Sequence, residues 1–202
     1  MRPRTNDFIA RLAVGLLFLF LTANLVGDFI RTGRITGLLF VVSEALVVVL
    51  TIVRRQARLV DRSTTAATLT VVSVAGPPLL RAASTPGLVP DEVTAFVSAI
   101  GVLIVILAKV TLGRSFGIVP ANRGVVTAGP YTSVRHPIYA GYLITHVAFI
   151  TAHPTVWNMT IIAVADTALI ARALVEEHVL AKDRSYRAYC SRVAWHLVPG
   201  LF

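Results

Sequence analysis

The chain has 202 residues, 55% of them hydrophobic and only 14% charged, with a net charge of +9. Soluble domains carry about 25% charged residues, so this balance excludes an ordinary soluble domain. Nucleic-acid binding is excluded as well, because the Lys and Arg residues sit at the ends of apolar runs and not along one polar face.

The apolar residues are blocked into runs long enough to cross a hydrocarbon core about 30 Å thick. The first expected membrane helix is Phe8–Ile30, too long for a signal-peptide core and without a small-residue cleavage site. The short link Arg31–Arg34 leads to a second, Ile35–Val53. A basic loop follows, with Arg54, Arg55, Arg58 and Arg62. The third helix is expected over Ser63–Leu80, kinked or ended by Gly76-Pro77-Pro78. After a turn-rich loop, Asp91 is expected to cap a fourth helix that ends near Leu112.

Gly113–Arg135 is the one long polar stretch, with four glycines, two prolines and three arginines. The apolar region Pro137–Leu174 is too long for one span and is expected to fold as a hairpin turning at His153–Thr155. The tail Glu176–Phe202 alternates charges with aromatics and is expected to form a cytosolic helix and a short return to the membrane surface. The single cysteine, Cys190, excludes an intrachain disulfide.

The expected fold is therefore all-α, a polytopic membrane helical bundle of about five to six transmembrane segments. Residues 1–112 would hold four N-terminal helices, and residues 113–202 a catalytic and cofactor region with the last hairpin and the cytosolic tail. With six crossings, sixteen of the nineteen Lys and Arg residues fall on one side, and only Arg31, Arg34 and Arg81 on the other. The positive-inside rule then puts both termini, the polar stretch and the tail in the cytosol.

Two constellations could carry chemistry. In Gly129-Pro130-Tyr131 through Arg135-His136-Pro137-Ile138-Tyr139-Ala140-Gly141-Tyr142, Gly-Pro makes a turn and Pro137 suits the first position of a helix. That places Arg135 and His136 at a helix N-terminus on the membrane surface, where free N–H groups favour anions. Tyr139 shares a face with His136, and Gly141 would let a backbone or a ligand come close. The plainer alternative is a snorkelling Arg-His pair with interfacial tyrosines.

The adjacent acids Glu176 and Glu177 close the last apolar run. Acids at membrane depth are costly and usually partnered. They point about 100° apart on a helix, which favours separate roles. The plainer reading pairs Glu176 with Arg172 and leaves Glu177 in solvent. Asp166 lies inside an apolar run, while His146 and His153 lack metal-site spacing, so no metal is expected.

These residues together resemble the isoprenylcysteine carboxyl methyltransferase family, which is related to the membrane phospholipid methyltransferases. The resemblance covers about residues 109–202 and includes Tyr186, Tyr189, Arg192 and the ending Leu197-Val198-Pro199-Gly200. It implies a cytosol-facing pocket for S-adenosylmethionine and a lipophilic acceptor entering from the bilayer. Gly129, Pro130, Tyr131, His136, Pro137, Tyr139, Gly141, Tyr142, Tyr186 and Tyr189 would contact the cofactor. Arg135, Glu176, Glu177 and Arg192 would take catalytic roles.

A carboxylate acceptor needs only a cation such as Arg135 or Arg192 to orient it, whereas an amine or phenol needs a base, for which Glu176 or Glu177 is the candidate. Two other readings stand beside this one. A membrane sterol-type reductase would bind NADPH and usually carries Asn-Tyr after Arg-His, where this chain has Pro137-Ile138. A scaffold or transporter would bind neither cofactor. Acceptor identity and oligomeric state are left open by the sequence.

Overall fold

The computed structural model of the chain describes residues 3–39, 41–42, 59–61, 63–83, 86–117 and 121–202. Most of the expected second helix, Ile35–Val53, and of the basic loop Arg54–Arg62 lies outside them. Helix α1 is Pro3–Thr32, α2 Thr64–Ala75, α3 Asp91–Leu112, α4 Pro137–Ala152, α5 Val156–Leu180 and α6 Arg184–Cys190. Residues 36–39 and 41–42 are helical as well. Among the described residues three helices, α1, α3 and α5, are long and apolar enough to cross a membrane, and α4 is a shorter apolar helix. The protein is a helical membrane bundle.

Helix α3 shows how the bundle is built for lipid. Its outward stripe is Val93, Phe96, Ile100, Leu103, Leu107 and Val110, all exposed. Its buried face carries Thr94, Ser98, Gly101, Val102, Val105, Ala108 and Lys109. Large apolar side chains outside and small or polar ones inside invert the soluble pattern, because lipid rewards close packing and internal hydrogen bonds more than apolar burial. The small residues set the α3–α4 contact. A Cβ on Gly141 would lie 2.6 Å from Val105 Cγ2, and one on Gly101 would lie 2.8 Å from the Gly141 carbonyl oxygen. Likewise α2 packs on α5 where a Cβ on Gly76 would lie 2.5 Å from that of Ala165.

The third helix ends at Ala75, short of Leu80, and Pro77–Leu79 form a 3₁₀ turn. Proline has no N–H for the ladder, so the chain breaks where Pro77 begins. Asp91 is the first residue of α3 and not its cap, since Pro90 holds the cap position. Its carboxylate instead accepts from Ile35 N–H at 3.2 Å and Thr36 Oγ1 at 2.9 Å, tying the start of the second helical segment to α3. The hairpin turns at His153-Pro154-Thr155, where Thr155 caps α5 by accepting from Asn158 N–H at 3.1 Å.

Lys109 and Arg172 are among the sixteen charges counted above on the cytosolic side. Both are buried within the bundle, at 0% and 6% exposure. Sixteen less these two leaves fourteen charges for the topological count.

At the loop end of the bundle, Leu59–Val60 (β1) and Ala121–Asn122 (β2) pair antiparallel, with Leu59 opposite Asn122 and Val60 opposite Ala121. The tail folds back here. Arg135 N–H donates to Trp195 O and His136 N–H to His196 O, each at 2.9 Å.

Candidate active site

The polar stretch enters the bundle through a 3₁₀ turn, Gly129–Thr132. Gly129 starts it at φ 57°, where a Cβ would also lie 2.9 Å from Thr111 Oγ1. Glycine suits both demands. The turn buries Tyr131, and the chain then rises through Arg135 and His136 into α4, with Pro137 at the first helical position.

Glu177 gathers three cations or potential cations. Arg135 Nη1 donates to its Oε2 at 2.8 Å, while His136 Nε2 and His196 Nδ1 meet its Oε1 at 3.0 and 2.6 Å. Arg135 also donates from Nε to Val193 O at 2.8 Å and from Nη2 to Cys190 O at 3.2 Å. One guanidinium thus fastens the start of α4, the end of α5 and the tail together. Its planar fork suits this three-way clamp, which lysine could not reproduce.

Glu176 points elsewhere. Its Oε2 accepts from Tyr139 Oη at 2.8 Å. It does not pair with Arg172, and Glu177 is not left in solvent. Tyr139 is stacked on His136, with ring centres 5.3 Å apart, and the guanidinium carbon of Arg172 lies 5.3 Å from the Tyr139 ring centre. Arg172 Nη1 donates to Ser73 Oγ at 3.2 Å, and its buried Nε has no partner among the described residues.

A cavity runs through this end of the bundle. Its loop side is lined by Ser115, Phe116, Arg123, Tyr131, Arg135 and Tyr186, with Tyr189 beside them. Its middle is lined by His136, Tyr139 and Glu176. Its deeper side, among α2, α4 and α5, is lined by Ser73, Tyr142, His146, Asp166, Leu169 and Arg172. There His146 Nδ1 meets Asp166 Oδ1 at 2.5 Å. Tyr142 stacks on His146 at 6.1 Å, and Lys109 Nζ lies 4.9 Å from the Tyr142 ring centre.

The tyrosines of the loop side are not bases. Burial raises Tyr131 and Tyr186 well above the ordinary phenol value, and it pushes Tyr189 up to about 12. Tyr189 stays a donor, to Tyr131 O at 2.7 Å and Val134 O at 3.3 Å. Burial also raises the Cys190 thiol, which argues against a thiolate nucleophile.

Of the residues singled out from sequence, Tyr131, Arg135, His136, Tyr139, Tyr142, Glu176, Tyr186 and Tyr189 line the cavity. Glu177 stands behind it as the clamp's acceptor. Pro137, Gly129 and Pro130 shape the backbone, and Gly141 serves helix packing instead of a ligand. Arg192 is exposed and outside the lining.

Arg123, Phe116, Arg172 and His146 were not among the candidates but line the cavity, as does Asp166, which the sequence offers only as an acid inside an apolar run. A signal for His146 was present. Tyr139, Tyr142 and His146 follow the i, i+3, i+7 spacing of one helix face. Among the described residues no three His, Cys, Asp or Glu side chains cluster to hold a metal ion.

A search of curated proteins finds no significant match to the chain. Residues 92–187, from the first turn of α3 into α6, match the phospholipid methyltransferase family. That segment contains every cavity-lining residue named above except Ser73 and Tyr189. Over residues 92–187 the chain is therefore similar to this family of membrane methyltransferases, to which the isoprenylcysteine carboxyl methyltransferases are related.

Proposed function

We propose that the protein transfers a methyl group from S-adenosylmethionine to a lipophilic acceptor, at a site facing the cytosol. The observation that carries this is the cavity itself. Buried in a membrane bundle, it joins a charged, aromatic mouth among the loops to a deeper chamber between helices. A polar donor and a lipophilic acceptor need those two environments side by side.

The lining suits the donor's chemistry. The donor carries a carboxylate, an ammonium, a sulfonium and an adenine ring. Arg123 and Arg135 offer guanidinium groups for the carboxylate. Glu176 offers a carboxylate for a positive group, having given one oxygen to Tyr139. Phe116, Tyr131 and Tyr186 offer faces for a flat ring. The Nε of Arg172 is a further buried donor without a partner among the described residues. When bound, S-adenosylmethionine supplies an electrophilic methyl group on a positively charged sulfur.

The chain's own work is then positioning and exclusion of water. Holding reactants in line contributes about 7–11 kcal/mol to such displacements. The Arg135–Glu177 clamp fixes the wall formed by α4, α5 and the tail. Tyr139 holds Glu176 in one orientation. Tyr186 and Tyr189 bring the tail over the loop side.

The test is binding of S-adenosylhomocysteine to the purified protein in nanodiscs, with NADPH as the competing ligand. Wild-type protein is expected to bind the first and not the second, and Glu176→Gln to weaken binding about tenfold, or about 1.4 kcal/mol. Binding of NADPH alone, or of neither ligand, would overturn the proposal.

A further inference from the structure

We infer that His146 and Asp166 form a proton-accepting dyad in the deeper chamber, with His146 the catalytic base for an acceptor that must give up an N–H or O–H proton. The inference rests on the methyltransferase reading above and adds the residues that would receive the proton.

The geometry supports it in three ways. His146 Nδ1 and Asp166 Oδ1 are 2.5 Å apart, bridging α4 and α5 across the cavity wall. A carboxylate accepts only, so Nδ1 carries the proton in that contact and Nε2 is the basic nitrogen of the ring. His146 is 3% exposed and Asp166 half-buried, yet both line the cavity. An acid within a membrane helix is costly, and such residues commonly mark function. Finally, the neighbouring side chains orient the ring. Tyr142 stacks on it, and Lys109 of α3 sits on Tyr142.

The other ionisable groups of the cavity are less suited to this role. His136 is held through Nε2 by Glu177, which stands behind the lining and is itself committed to Arg135 and His196. Glu176 is held by Tyr139 and lies nearer the mouth, where a positive donor needs it. Arg172 points one nitrogen at Ser73, and a guanidinium does not accept a proton.

The step balances. The acceptor heteroatom forms a bond to the methyl carbon, and the carbon–sulfur bond breaks with its electron pair left on sulfur. The acceptor's proton moves to His146 Nε2, giving an imidazolium that Asp166 stabilises. That proton passes to solvent when the products leave. A carboxylate acceptor has no proton to lose and would not use the dyad.

Two readouts test this in nanodisc-embedded full-length protein. Ring ¹⁵N NMR reports the tautomer without any reaction, and is expected to find His146 protonated at Nδ1 and bare at Nε2. A protonated Nε2 with bare Nδ1 would overturn the proposal. Single-turnover methylation is then compared on dodecylamine, 4-nonylphenol and N-acetyl-S-farnesylcysteine as probes. His146→Gln is expected to slow the amine or phenol about a hundredfold, leave the carboxylate probe unchanged and keep S-adenosylhomocysteine affinity within twofold. Asp166→Asn, which preserves shape, is expected to lose about tenfold on the same probes and to shift the ring ¹⁵N signals. Equal loss on all probes, or none on the amine and phenol, would overturn it. Absence of S-adenosylhomocysteine binding by wild-type protein would instead sink the methyltransferase reading, and the NMR result would still stand or fall separately.

Discussion

At one end of the bundle the core is mainly aliphatic, with Leu21, Leu25, Leu80, Phe149 and Ile162 packed together. At the other it is rich in tyrosine, with Tyr131, Tyr139, Tyr186 and Tyr189 beside Phe116, Ile138 and Leu169. Each end also has a buried polar knot. At the aliphatic end, His153 Nδ1 accepts from Ala83 N–H at 3.1 Å, and Arg34 donates to Ala83 O at 2.9 Å. There Asn158 donates to Arg81 O and His153 O and accepts from Arg81 N–H.

Those bonds run mostly from side chain to loop backbone, and they close the turns between helices. At the tyrosine-rich end the knot around Glu177 joins side chain to side chain, and it braces a cavity. Backbone carbonyls and N–H groups buried at a turn need partners wherever they occur. Ionised groups clustered around a cavity point to use as well as closure.

Substitutions can separate the two ends. Glu177→Ala is expected to have the largest effect, because it leaves Arg135 half-buried and unpaired. Breaking such a pair costs about 3–5 kcal/mol. Thermal unfolding in detergent should fall sharply, and S-adenosylhomocysteine binding should be lost with it. Asn158→Ala strips three hydrogen bonds at the other end. It should cost about 3 kcal/mol through unsatisfied buried groups, while ligand affinity measured at a temperature where the variant is folded stays at the wild-type value. A drop in that affinity would mean that the ends are coupled.

Gly141→Ala comes next. Its Cβ would crowd Val105 and Gly101, at a cost of about 1–3 kcal/mol in the same melt. Ligand affinity should again hold, since Gly141 faces α3 and not the cavity. Tyr139→Phe should have the reverse signature. The melt should move by about 1 kcal/mol or less, with affinity reduced several-fold as Glu176 loses its donor.

The smallest effect is a pH dependence at the aliphatic end. Burial lowers the pKa of His153 below its ordinary 6.5, outweighing the attraction of Asp28. The unfolded chain therefore binds this proton more readily than the folded one. Stability from this group is present above pH 6.5 and is lost as the pH falls below that value. His153→Phe should flatten that part of a stability–pH curve. An unchanged slope would assign it to another group.

Much of the fold was legible because its causes are local. Pro77 and Pro154 break helices by lacking an N–H, and long apolar runs specify membrane helices whatever they pack against. Asp91 was misread for the opposite reason. Aspartate suits a cap by propensity, but Pro90 holds that position and the carboxylate reaches Ile35 and Thr36, fifty-six and fifty-five positions away. Lys109 and Arg172 were counted with the cytosolic charges because charge near the end of an apolar run ordinarily marks the membrane surface. Aromatic rings at Tyr142 and Tyr139 instead hold them inside.

By itself, the sequence determined that this chain lives in a membrane, that its last apolar region doubles back, and that its chemistry-bearing residues cluster in the C-terminal half. These follow from composition, helix breakers and residue type, which need no partner to act. Tertiary structure alone decided that Glu177 is the clamp and Glu176 the cavity acid, and that His146 meets Asp166. Adjacent positions on a helix diverge by about 100°, so which one faces the site depends on where the neighbouring helices stand.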